Sequence, residues 1–315
     1  MGAHLRELLR SRRFAVTLMP RRPAPPRAAV GLLVVACACA CASGEPSDDA
    51  GRVESQTEAI RFVDATGAEV VLRAPARRVV SLVPSATETL HAMGRDDVLA
   101  GRTDYDTQPW AARLPSVGGG LEPNLEAIVA LRPDLVVRFA GEQDTRTPAR
   151  LADLGIPQLA VRPDRIDDIY RTASLLGQAI GDAAAADSLT AAIRSDLLAA
   201  SAAVRDLPRL RVAYVLGGTP PWVAGAGTYI DEVVSLMGGD NVFADLALLY
   251  AGVSPEEFRT RSVDVVLLSE AGAFDPTLAP GARVEIVGAA LEIPGPGVVE
   301  AAYLVAERMH GRKLR

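Results

Sequence analysis

Short apolar runs alternate with stretches of helical periodicity through most of this chain. Arg78-Val79-Val80-Ser81-Leu82 leads into Glu88-Thr89-Leu90-His91-Ala92-Met93-Gly94. Arg211-Val212-Ala213-Tyr214-Val215 leads into Glu232-Val233-Val234-Ser235-Leu236-Met237-Gly238. Each pair reads as a strand, a loop and a helix stopped by glycine. A second unit repeats as well: Asn124-Leu125-Glu126-Ala127-Ile128 runs on to Asp134-Leu135-Val136-Val137, and Ser254-Pro255-Glu256-Glu257-Phe258 runs on to Asp264-Val265-Val266-Leu267. Glu126 and Glu256 are 130 positions apart, as are Asp134 and Asp264. Buried apolar strands separated by helices suit parallel sheets with crossover helices.

Between the two repeats the chain is rich in Ala, Leu and Asp from Asp182 to Val204, with no glycine or proline. A helix there would be roughly 34 Å long, about the width of a small lobe. An ordinary surface crossover helix would fit that composition too. The expected fold is α/β: two lobes with mostly parallel sheets, joined by one long bridging helix. The boundaries read as an N-terminal lobe at 58–181, the helix at 182–205 and a C-terminal lobe at 206–315.

Composition narrows the class. The 315 residues are 49% hydrophobic and 23% charged, enough apolar content to offset the entropy of ordering the bulk of the chain. A net charge of −6 disfavours nucleic acid as a partner. One lysine, Lys313, accompanies 32 arginines, a pattern of genome bias with little functional weight. All three cysteines, Cys37, Cys39 and Cys41, lie within five residues, which excludes a disulfide framework in the folded body.

Upstream of those cysteines, basic residues ending at Arg21, Arg22 and Arg27 precede the apolar run Ala28–Ala36. That run is too short for a membrane span and suits an export signal. Val34-Val35-Ala36-Cys37 resembles the lipobox of bacterial lipoproteins, which implies a lipid on Cys37, with Cys39 and Cys41 as alternatives; an ordinary signal peptide is the competing reading. Residues 1–18 look surplus to a signal starting at Met19, and Ser11-Arg12-Arg13-Phe14 bears a faint likeness to a twin-arginine signal. Loss of residues 1–36 removes seven basic residues and one acidic one, taking the charge from −6 to −12. Residues 37–57 then read as a disordered polar tether. The expected location is the periplasm or the cell surface, with the protein held at the membrane by its anchor.

Further motifs point to a family. Arg78-Val79-Val80-Ser81-Leu82-Val83-Pro84-Ser85-Ala86-Thr87-Glu88 resembles the opening of the substrate-binding proteins of ABC importers for vitamin B12, haem and iron siderophores. So do Gly101-Arg102-Thr103-Asp104-Tyr105, Pro123-Asn124-Leu125-Glu126, Pro133-Asp134-Leu135-Val136, Pro220-Pro221-Trp222 and Gly238-Gly239-Asp240-Asn241-Val242. Together they span roughly residues 77–310, and the vitamin B12 branch is nearest. The resemblance implies two bridged lobes, a ligand in the cleft, a permease as partner and no catalysis. A monomer without cofactor is expected.

In open parallel sheets the ligand crevice lies beyond the carboxyl ends of the strands. Tyr105, Phe139, Trp222 and Tyr250 fall at such places, and they match positions of aromatic contacts in the B12 binders. A flat, mostly apolar macrocycle such as a corrinoid, or a haem, calls for such π-faces. Where B12 binders often carry a tryptophan, this chain has Gly118-Gly119-Gly120, so Gly119 and Gly120 offer a wider floor or close backbone approach. Glu126 and Glu256 stand in first helical turns, where a carboxylate favours the helix dipole; the resemblance implies that they dock on permease arginines. Ser254 and Glu257 are expected to form a capping box.

Other chemistries lack their residues. His4, His91 and His310 are too scattered for a metal cluster. There is no Gly-x-x-x-x-Gly-Lys loop and no Gly-x-Ser-x-Gly elbow, and Gly225-Ala226-Gly227 lacks the third glycine of a dinucleotide fingerprint. It is expected to feed a helix capped by Thr228 with Asp231. A ligand-sensing module without a permease, or an enzyme using the interlobe cleft, are the competing classes.

Overall fold

The computed structural model describes residues 59–141, 144 and 146–314. Cys37, Cys39, Cys41, the signal and the tether lie outside the described residues. The chain opens on an antiparallel pair, β1 (Ile60–Val63) and β2 (Glu69–Leu72). Then follow β3 (Val79–Ser81), α1 (Pro84–Ala92), β4 (Leu99–Gly101), α2 (Leu125–Ala130), β5 (Leu135–Phe139), α3 (Arg146–Asp153) and β6 (Gln158–Val161). The four strands β4-β3-β5-β6 form a wholly parallel sheet.

Two helices follow, α4 (Ile166–Ile180) and α5 (Ala183–Val204). The second half is β7 (Leu210–Gly217), β8 (Trp222–Ala224), α6 (Tyr229–Leu236), β9 (Gly239–Asn241), β10 (Tyr250–Gly252), α7 (Pro255–Arg259), β11 (Val265–Leu268), β12 (Arg283–Ile286) and α8 (Val298–His310). Strands β9, β7, β11 and β12 are parallel neighbours in the same order as the first sheet. The eight-residue β7 outruns β9, and its free length pairs antiparallel with β8, which pairs with β10.

The repeated aspartates do the same work in each half. Asp134 Oδ2 accepts from the backbone N–H of Arg77 and Arg78 at 2.9 Å, fixing the start of β3 beside β5. Asp264 Oδ2 accepts from Arg211 N at 2.7 Å, and its other oxygen pairs with the Arg211 guanidinium at 2.8 Å. A carboxylate that accepts two donors closes backbone groups which the strand ends leave unpaired.

Helix α5 is the long rod between lobes, and α4 runs antiparallel beside it. Gly181 at φ +72° ends α4, and Asp182 caps α5 by accepting from Ala185 N at 3.1 Å. Ile166 and Ile169 of α4 join the C-terminal core with Ile193, Leu197, Ala200 and Val204 of α5. Ala173, Leu176 and Ile180 of α4 join the N-terminal core with Ala186 of α5. Both helices therefore bury residues in both lobes. They can do so because they pack closely: a Cβ added to Gly177 would lie 2.7 Å from the Cβ of Ala186. Among the described residues, no helix is long and apolar enough to cross a membrane.

Candidate ligand cleft and docking helices

Tyr105 belongs to a pinned loop that follows β4. Asp106, only 1% exposed, accepts through Oδ2 from Thr103 N at 2.8 Å and Thr103 Oγ1 at 2.7 Å. Tyr105 N donates to Thr103 Oγ1, and Asp104 N donates to Gly118 O at 2.9 Å. The glycine loop is thereby tied to the Tyr105 loop. A Cβ on Gly119 would stand 4.0 Å from the Tyr105 ring, and Gly118 adopts φ +86°, where a side chain would be strained. Gly120 is buried. Phe139 is the last residue of β5 and packs half-buried on the edge of the N-terminal core.

In the other lobe, Trp222 opens β8, and Gly252 of β10 lies opposite it. A Cβ on Gly252 would come within 3.3 Å of the indole nitrogen, so the absent side chain leaves room for the ring. Tyr250 faces Ala224 in the same ladder and rests half-buried against the C-terminal core. Burial, and then the charge of Asp164, pushes its phenol well above the ordinary tyrosine range. The structure thus brings Tyr105 together with Gly119, and Trp222 onto a strand paired with that of Tyr250. Tyr105 and Phe139 stand at the carboxyl ends of β4 and β5 and Trp222 at that of β7, while Tyr250 begins β10 opposite Ala224, at the other end of β8.

The matched glutamates head matched helices. Asn124 caps α2 by accepting from Ala127 N, and Glu126 is exposed in the first turn. Ser254 caps α7 by accepting from Glu257 N, and Glu256, 79% exposed, lies 3.8 Å from Arg259. Only half of the expected capping box forms. The Glu257 carboxylate turns to Arg261 at 3.2 Å, and that guanidinium also holds Asp245. Thr228 caps α6 by accepting from Asp231 N, while Asp231 itself accepts from Gly227 N and Asn241.

A polar group that sequence reasoning missed lies beside the Tyr105 loop. Glu88 of α1 accepts a hydrogen bond from the amide of Gln108. Burial, with Asp106 adding to it, raises the Glu88 carboxyl to about 7; Gln108 and His91 act in the opposite sense. Burial raises the Asp106 carboxyl as well. His91 stacks on Trp110 at 3.8 Å between ring centroids and bonds Asp96. The one sequence signal was an acidic residue inside the apolar opening motif. Among the described residues, no group of three metal-ligating side chains exists.

Two α/β lobes of like topology, bridged by paired helices, define a two-lobed architecture. The chain belongs to the periplasmic binding protein family, whose pattern it matches over residues 79–279, and it is a substrate-binding protein, not an enzyme. It is 34% identical over 196 residues to the vitamin B12-binding protein of Yersinia pestis (strain Pestoides F), covering 62% of this chain and 70% of that one. The periplasmic vitamin B12 binding protein BtuF of Vibrio cholerae superposes with a TM-score of 0.66 at 27% identity, over 75% of this chain and 97% of that one. The periplasmic haem-binding protein RhuT of Roseiflexus sp. RS-1 shares the fold at a TM-score of 0.65 and 23% identity, over 75% and 98%.

Proposed function

We propose that this protein captures a corrinoid, a vitamin B12-like ligand, between its lobes and delivers it to the permease of an ABC importer. The observation that carries this reading is the placement of Tyr105 and Phe139 at the carboxyl end of one sheet and of Trp222 at that of the other, with Tyr250 on the strand paired to that of Trp222. Paired aromatic faces with few charges suit a flat, largely apolar macrocycle. The glycine loop Gly118–Gly120 widens the N-terminal side and presents backbone to the ligand. The relatives in Yersinia pestis and Vibrio cholerae are vitamin B12-binding proteins, which supports the corrinoid over other chelates.

Glu126 and Glu256 dock the loaded protein. Each is exposed at the head of a short helix, one per lobe, so a two-fold set of cationic side chains on a permease could read both at once. Charges at such a rim set encounter rate and register more than affinity. Acylation at Cys37 (or Cys39 or Cys41) and the 37–57 tether keep the protein beside the membrane, where a single monomer serves the transporter. Titration of the mature protein with cobalamin and cobinamide tests the ligand, and transport assays in vesicles carrying a permease test delivery.

A further inference from the structure

Glu88 stands where three parts of the molecule meet. One carboxyl oxygen takes the Gln108 amide, and Gln108 closes the loop that carries Tyr105. The other faces the segment between β12 and α8, which crosses from the C-terminal lobe. A Cβ on Gly295 would lie 3.5 Å from Glu88 Oε2 and 3.4 Å from Ser85 Cβ. That segment is held in turn by its own lobe, since the Tyr229 hydroxyl donates to Leu291 O. The Tyr105 loop, Glu88 and a segment of the opposite lobe therefore lie side by side, the first two joined by a hydrogen bond and the last brought close by the absent side chain of Gly295.

The surroundings suit a neutral acid. Of five buried side-chain atoms without a partner among the described residues, Asp106 Oδ1 and Gln108 Oε1 are acceptors in this region and Ser85 Oγ is a donor, so a second carboxylate would add to a surplus of acceptors. The charged groups that face Glu88 are Asp106 from the Tyr105 loop and His91 from its own helix. His91 is engaged with Asp96, and Arg102 acts on Asp106. From the crossing segment the contact is the glycine backbone, with Glu292 three residues before it.

We propose that Glu88 is a positioning residue for ligand capture, packed as the neutral acid between the Tyr105 loop and the segment around Gly295, and that its ionisation opens this packing because a buried carboxylate loses its water, although the Gln108 bond by itself favours the charged form. The role in capture rests on the function proposed above; the packing itself does not. A carboxyl at about 7 when closed and at its ordinary value of 4.5 when solvated makes opening more favourable as pH rises between those values, with a plateau beyond.

Hydrogen exchange on the ligand-free protein, corrected for intrinsic rates, reads the packing directly. Opening of segments 103–108 and 291–297 is expected to rise at least about tenfold from pH 5 to pH 7.5 in the native protein. It should stay flat and low in Glu88→Gln, which keeps a neutral side chain of the same shape. A flat profile in the native protein, or an equal rise in both, would overturn the proposal. Should the variant not fold, carbon NMR of the native Glu88 carboxyl decides: a midpoint near 7 supports the assignment, and one below 5 overturns it. Silence in ligand titrations would defeat the corrinoid reading and leave these two readouts unchanged.

Discussion

Arg165 and Glu232 join the lobes across 2.6 Å. Arg165 precedes α4 and Glu232 lies in the first turn of α6, and Glu232 also accepts from Ile166 N at 2.8 Å. One carboxylate thus caps one helix while starting another lobe's helix. Tyr229 N adds a further link by donating to Asp164 O. Glu232→Ala should destabilise the protein by about 1–2 kcal/mol, because a helix-start N–H loses its acceptor. Arg165→Ala should cost less, since its side chain is 59% exposed. Chemical denaturation of both variants and the double variant checks the order.

The Glu88 carboxyl makes stability depend on pH. Its folded value, about 7, exceeds the ordinary glutamate value of 4.5, so between these pH values the unfolded chain has given up a proton that the folded one keeps. This contribution to stability therefore falls as pH rises from 4.5 toward 7, then levels off, for a total of about 3 kcal/mol at most. Glu88→Gln should match the native protein near pH 4.5 and surpass it at pH 8. Melting curves across that range check the divergence of the two profiles.

The helix pair has little room. Gly177→Ala would place a methyl group 2.7 Å from the Ala186 Cβ and 3.0 Å from Asp182 O, forcing α4 and α5 apart. Overpacking of this kind costs about 1–3 kcal/mol. A lowered denaturation midpoint with an unchanged slope is the expected result, because the interlobe frame would shift without unfolding.

Glu126→Ala combined with Glu256→Ala should leave ligand affinity within about twofold of the native value while uptake through the permease fails. Both residues are exposed on helix heads, away from the Tyr105 and Trp222 loops in sequence. Loss of ligand binding in the double variant would instead place them in the cleft. Calorimetry and a transport assay on the same preparations separate the two outcomes.

Much of this architecture was legible because the two halves repeat chemistry as well as pattern. Asp134 and Asp264 are spaced alike because each clasps the start of a neighbouring strand, and Asn124 and Ser254 because each caps a helix. The caps are local, each set by residues three positions apart, whereas each aspartate reaches a strand more than fifty positions away and shows in the sequence only through the repeat. The α4 partner of the bridging helix was not anticipated as a second link, since its periodicity shows one apolar face but not that Ile166 and Ile180 serve different cores. Nor could spacing foresee that Glu257 would abandon its capping box for Arg261, or that Glu88 would meet Gln108 and Gly295. These contacts depend on how loops from distant parts of the chain come together.

Isothermal titration of the mature protein with cobalamin, cobinamide, haem and a ferric siderophore tests the central claim most directly. The account predicts one-to-one binding of a corrinoid with a dissociation constant in the micromolar range or below, weakened by Trp222→Ala. Heat from haem or the siderophore alone, or from none of the four, would contradict it.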